Sequence, residues 1–177
     1  MLQTLITSKT RIRLLLKFFL NSNTTSWLRD LESEFGESTN SIRVELNRLE
    51  EAGMLKTQAS GNKKLYTANT KHPLFKDIHN LLLKHTGIDH VIDRVVIRLG
   101  NLESAYLTGS FAKGLDGPFI DVVLVGNGVD KVYLLKLIEK AESLINRKIR
   151  YVIATSDEKE DCLKDSPEAF LLWENIK

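Results

Sequence analysis

A chain of 177 residues with 42% hydrophobic and 27% charged side chains holds enough apolar material for one domain or two small ones, and no apolar run in it approaches a membrane span. The net charge of +2 is unevenly spread, since residues 1–70 carry ten Lys/Arg against seven Asp/Glu and the remainder fifteen against sixteen. A single cysteine, Cys162, excludes an intrachain disulfide, and the N-terminus has no cationic lead into an apolar core with a cleavage site, so a cytoplasmic, membrane-free protein is expected.

In chain order, the first helix is predicted over Thr10–Leu20. Ile12, Leu15, Leu16 and Phe19 share one face, and Leu14 and Phe18 widen the apolar arc enough to call for a second packing partner. After "NSNTT", Thr25 or Ser26 is expected to cap a short helix carrying Trp27, Leu28, Leu31 and Phe35, with Gly36 as its stop. A third helix opens at Ser38 or Thr39 and runs to Gly53, burying Ile42, Leu46 and Leu49 at i, i+4 and i+7. Two short strands, Leu55–Ala59 and Lys64–Ala68, then flank the turn "SGNK".

Helix, helix, turn, helix and a basic-tipped hairpin outline a winged helix-turn-helix. The stretch "STNSIRVELNRLEEAGMLK" resembles the recognition helix and start of the wing of ArsR-type bacterial repressors, with Leu49, Ala52, Gly53 and Leu55 in step; the resemblance covers roughly residues 8–70. It implies that the outward face of the third helix, Asn40, Ser41, Arg43, Val44, Asn47 and Arg48, enters the major groove of double-stranded DNA. Arg donates bidentately to guanine and Asn to adenine. Lys63 and Lys64 at the wing tip would reach phosphates, fixing register without reading sequence. The competing reading is an amphipathic helix of a bundle with solvated Arg43 and Arg48.

In the next segment, residues 72–100, Pro73 can start a helix with Leu74, Ile78, Leu81 and Leu82 on its apolar face. All four histidines, His72, His79, His85 and His90, fall here. Their spacings of seven, six and five residues do not fit the i, i+4 pairing of two ligands on one helix, and no thiolate is near. The segment reads as linker helices that can also help form a dimer.

From Ser104 the pattern turns to strands alternating with helices. "SAYLTGS" is a strand entering a turn, and "FIDVVLVG" a buried strand. "KVYLLKLIEKAESLINR" is a helix with Val132, Leu135, Ile138 and Leu144 inward. "KIRYVIAT" is a third strand, and the remainder a helix capped by Ser156 followed by a tail.

"TGSFAKG" resembles the minimal bacterial nucleotidyltransferases at Gly109, Ser110, Ala112 and Gly114. Members carry Gly-Ser after a strand, then two Asp one residue apart on the next strand, and a third carboxylate on a later one. These residues hold nucleotide phosphate and divalent metal for in-line transfer. Here the resemblance puts Asp121 at the second Asp, Phe119 at the first, and Arg150 at the third carboxylate. Two of three metal ligands are therefore replaced. The resemblance then implies either an Asp121–Arg150 ion pair that stabilises the empty site, or a metal-free phosphate site made by Gly109, Ser110, Lys113, Asp121 and Arg150.

The expected fold is an α+β winged helix-turn-helix domain over residues 1–71, linker helices over 72–100, and a small α/β nucleotidyltransferase-like domain over 101–177. The expected function is a homodimeric DNA-binding transcriptional regulator whose second domain is catalytically inactive and supplies dimer contacts or a nucleotide effector site. No metal or cofactor is expected. The alternatives are a Mg-dependent nucleotidyltransferase that modifies protein or nucleic acid using a nucleoside triphosphate, and an antitoxin-like partner of a nucleotidyltransferase.

Overall fold

The computed structural model describes residues 2–176. The chain divides into two compact units, Met1–His85 and Thr86–Lys177, both built from helices and sheet. The stretch 72–100, read as a linker, is shared between them: its first helix falls almost wholly within the first unit and its remainder in the second.

In the first unit, a short turn of helix α1 (Leu2–Leu5) precedes α2 (Lys9–Leu15), whose first turn is capped by the Ser8 hydroxyl accepting from Arg11 N–H at 3.1 Å. The helix then widens into a π-helical turn, Leu16–Leu20. Its predicted two-sided apolar arc is buried throughout, because Leu14, Leu15, Leu16, Phe18, Phe19 and Leu20 all lie inside. The helix packs against α4 (Thr39–Glu51), and its π turn against strand β3 (Lys63–Ala68). Helix α3 (Leu28–Phe35) ends at Gly36, and Ser38 caps α4 by accepting from Ser41 N–H at 3.3 Å.

Strands β2 (Leu55–Ser60) and β3 pair antiparallel around the two-residue turn Gly61-Asn62. Gly61 sits at φ +57, the left-handed value that the first position of a tight hairpin turn requires and that a side chain disfavours. Trp27 departs from the sequence reading. It belongs to an extended strand, β1 (Thr25–Trp27), pairing with β3 opposite Leu65, and the sheet order is β1-β3-β2. "TTSW" is a β-favouring run, and pairing with β3 overrides the local helical spacing. Helix α5 (Phe75–Thr86) follows, with His79 Nδ1 at 2.8 Å from the Phe19 carbonyl.

The second unit opens with a helical segment, α6 (Ile88–Val91), a π turn Ile92–Val96 and α7 (Ile97–Leu99). Its four-stranded sheet combines β4 (Ser104–Thr108), β5 (Phe119–Val125), β6 (Lys148–Ala154) and β7 (Phe170–Glu174) in the order β6-β5-β4-β7. Only β5 and β6 run parallel among the described residues, so the sheet is mixed. Helix α9 (Lys131–Glu142), capped by the Asp130 carboxylate, packs on one face. The opposite face holds Val123, Val125 and Ala154 against Cys162 and Leu163 of α10 (Lys159–Leu163).

Two sequence expectations are corrected here. The inner side of α9 is Leu134, Leu137, Ile138 and Ala141, whereas Val132 and Leu135 are 66% and 49% exposed and Leu144 is also exposed. The apolar content of α9 supports either stripe, and tertiary packing selects the one spaced i, i+3, i+4, i+7. The expected tail contains strand β7, and Ser156 caps nothing; its hydroxyl is hydrogen-bonded to Glu103. The turn that leads into α10 is closed instead by Thr155 and Glu158, the Thr155 N–H donating to Oε2 at 3.0 Å.

Among the described residues Glu45 is the buried charge of the first unit. Arg11 Nε lies 2.8 Å and Arg48 Nη1 3.4 Å from its two oxygens. Burial pushes the Glu45 carboxyl up, but the hydrogen bond from Arg11, aided by Ser8 and the two guanidinium charges, outweighs it and holds the group below its ordinary 4.5. A lowered native value means that this contribution is fully present above pH 4.5 and is lost as pH falls through the native value. Glu45→Gln is expected to cost about 1–3 kcal/mol at pH 7 in urea denaturation, with the gap to wild type closing at acid pH; a gap independent of pH would contradict the pairing.

Candidate functional site

The first site is a groove of about 620 Å³ on the first unit, between α4 and the hairpin. Arg43 and Asn47, one turn apart on α4, form one wall, and Asn62, Lys63 and Lys64 at the hairpin tip the other. Trp27, Arg29 and Tyr66 line the floor and flank. The Lys63 ammonium lies 4.0 Å from the Trp27 ring centroid, and Arg29 stacks on the same ring at 5.8 Å. Lys64 Nζ is 2.6 Å from Glu50 Oε2 and 5.4 Å from the Tyr66 ring centre. The Glu50 hydrogen bond raises Lys64 above its ordinary value, and the same bond lowers Glu50.

Four residues named from sequence, Arg43, Asn47, Lys63 and Lys64, therefore meet in one groove. Asn40, Ser41 and Val44 are exposed on α4 but do not line it. Arg48 is on the opposite flank, against Glu45. Sequence reasoning missed Trp27, Arg29, Asn62 and Tyr66 as site residues. Trp27 was hidden by its reading as a helix residue, Arg29 carries no local signal at the start of α3, and Asn62 was read only as a turn former.

The second site lies on the second unit, where β5 leaves the turn after β4. Strand alternation puts Phe119 and Asp121 on the face of β5 that also carries Val123 and Val125, and the parallel register sets Arg150 directly opposite Asp121. Arg150 grips the carboxylate with both arms, Nε to Oδ1 at 2.5 Å and Nη2 to Oδ2 at 2.9 Å. Its guanidinium lies 4.3 Å from the centre of the Phe119 ring. The Asp121 hydrogen bonds raise Arg150 further above its ordinary value.

Gly109 opens the short helix α8 (Gly109–Ala112) at φ +65, and a Cβ there would lie 2.3 Å from Asp121 Oδ2. Gly109, Asp121 and Arg150 are thus brought together. Ser110 is exposed beside them, whereas Lys113 is drawn toward Glu168, 3.4 Å away. Asp116 pairs with Arg147 at 2.8 Å. A divalent cation does not fit these residues. Both Asp121 oxygens are taken by a guanidinium, and the neighbouring same-face position is an aromatic ring with no ligand atom.

No family model matches the chain, and no curated protein matches it. Among solved structures, a candidate nucleotidyltransferase from Sulfolobus solfataricus is similar at 22% identity and a TM-score of 0.33, over 51% of this chain and 88% of that one. The likeness is weak. Among the described residues no helix is long and apolar enough to cross a membrane.

Gly109→Ala is expected to destabilise the protein by roughly 1–3 kcal/mol, from positive-φ strain and the clash with Asp121. In a double-mutant cycle with Asp121→Ala, the clash component should be recovered and the strain should remain. Strict additivity in urea melts would show that Gly109 and Asp121 do not press on each other.

Proposed function

We propose that this protein is a DNA-binding transcriptional regulator. In this reading the first unit is a winged helix-turn-helix, with α3 and α4 as the helix pair and the β2–β3 hairpin as the wing. The observation that carries it is the groove in which Arg43 and Asn47 of α4 face Lys63 and Lys64 of the hairpin. A recognition helix needs donors that reach base edges, which Arg and Asn supply bidentately for guanine and adenine. A wing needs cations that reach phosphate, which Lys63 and Lys64 supply. Trp27 steadies Lys63 from beneath, so that cation is held at the groove without a carboxylate partner to neutralise it among the described residues.

The second unit is proposed as a nucleotidyltransferase-like module without transferase activity, serving as a dimerisation or effector domain. Support comes from the Asp121–Arg150 grip and from Phe119. A two-metal transfer needs clustered carboxylates to hold its ions, and this cluster has one carboxylate whose charge is already balanced. A homodimer would present two recognition helices to half-sites about one helical turn apart.

Selection of bound sequences from a random duplex pool, followed by fluorescence anisotropy, tests the reading. Arg43→Ala and Asn47→Ala should each lose about 1–3 kcal/mol on the selected duplex and relax preference at one position. Lys63→Ala should weaken all duplexes alike and lower the salt slope by about 1. Unchanged affinity in all three variants would sink it. Incubation with labelled nucleoside triphosphates and Mg²⁺ checks the second unit: no label should transfer, and transfer abolished by Asp121→Ala would establish an enzyme instead.

A further inference from the structure

The first unit holds a second concavity, on the side of α4 away from the groove. It measures about 390 Å³ and is walled by Leu15 of α2, Leu49 of α4, Met54 just before β2 and Leu81 of α5, with Arg11 and Arg48 also lining it. The volume falls within the roughly 300–1,000 Å³ of small-molecule sites, which are mostly apolar with a few placed polar groups. The two guanidiniums share one carboxylate, Glu45, at 2.8 and 3.4 Å. Two positive charges against one negative leave a net positive charge beside an apolar trough. Arg11 is the closer partner, and Arg48 is held more loosely, with 59% of its side chain exposed. Arg48 is therefore the guanidinium able to turn to a second anion while Arg11 keeps Glu45 satisfied.

We propose that this concavity is a binding site for an amphipathic carboxylate, an acyl chain of medium length. Its tail would lie against Leu15, Leu49, Met54 and Leu81, and its carboxylate would accept from Arg48. Charge complementarity selects this occupant. A neutral chain leaves the excess charge uncompensated, and a cationic one adds to it. Burying the tail removes apolar surface from water on both sides. Arg48 and Leu49 belong to the same helix as Arg43 and Asn47, so ligand and DNA would act on one element and each would alter the affinity of the other. That last consequence rests on the DNA reading; the binding claim does not.

Isothermal titration calorimetry of the full chain, without DNA and below micellar concentrations, tests the proposal with decanoate, decan-1-ol and decyltrimethylammonium. Decanoate should bind once per chain, the alcohol about tenfold more weakly, and the ammonium not measurably. Arg48→Gln should bring decanoate down to the affinity of the alcohol. Ala52→Trp, at an exposed position lining the same concavity, should block decanoate while leaving circular dichroism and the melting temperature as in wild type. If Arg48→Gln fails to fold, Ala52→Trp and the ligand series decide the matter alone. No decanoate binding up to about 1 mM, equal binding of all three ligands, or full binding by Ala52→Trp would overturn the proposal. It would also fall if decanoate failed to bind and Ala52→Trp converted a dimer to monomer, since a second copy would then cover the concavity. Because DNA is absent, failure here leaves the DNA reading untouched, and failure of DNA binding leaves this one untouched.

Discussion

Helix α4 can bury only one stripe, and the first unit is arranged around that constraint. Ile42, Leu46 and Leu49 are all buried, and at 100° per residue this fixes the direction of every other side chain on the helix. Arg43, Asn47 and Glu50 fall on the flank toward the hairpin. Glu45, Arg48 and Ala52 fall on the flank toward α2 and α5. Asn40 and Val44 face outward, between the two. A helix so seated has two chemically different edges: one meets a polar groove with cations and rings, the other an apolar trough with a guanidinium pair at its rim.

The second unit rests on a ladder constraint. Parallel pairing of β5 and β6 sets Asp121 opposite Arg150, and a one-residue shift is disfavoured because it would turn the Asp121 carboxylate to the face that buries Ile120, Val122 and Leu124. The charge balance of the site is thus set by strand register. Gly109 is part of the same arrangement, since its missing side chain is what lets the turn after β4 close onto the carboxylate. The Phe119 ring beneath the guanidinium holds the fork in plane for both oxygens.

Local chemistry was legible in the sequence and non-local pairing was not. Ser38, Gly36 and the Gly61-Asn62 turn act within a few residues of themselves, so these helix ends and the hairpin follow from spacing alone, whereas the caps expected at Thr25 or Ser26 and at Ser156 do not form, Thr25 and Ser26 being drawn into β1 and Ser156 to Glu103. The Asp121–Arg150 juxtaposition was also legible, through the resemblance that aligned the two strands. Strand β7 was missed because its partner is β4, more than sixty residues earlier in the chain, and "FLLWE" carries no periodicity that separates strand from tail. Strand β1 was missed for the same reason. Its partner β3 lies beyond two helices, and that pairing brings Trp27 under the hairpin tip. On α9 the ambiguity was different in kind. Two apolar stripes overlap at Ile138, and nothing within the helix ranks one above the other.

Lys64 shows how the proposed DNA surface differs from a plain basic patch. Glu50 already holds its ammonium at 2.6 Å, and Thr57 holds the other Glu50 oxygen at 3.0 Å. A phosphate reaching Lys64 must therefore replace an existing partner, and the net gain is the difference between two charge-assisted bonds. Lys63 has no such competitor among the described residues; its contact is the Trp27 face, which a phosphate can leave in place. Arg43 likewise has no ion-pair partner there, so its donors are available to a base edge. Cations of equal formal charge on one surface are thus unequal in what they can contribute. On the proposed reading Lys63 would carry the attraction to the backbone, whereas Lys64 and Glu50 together act as a pre-set, nearly neutral support for the hairpin on α4.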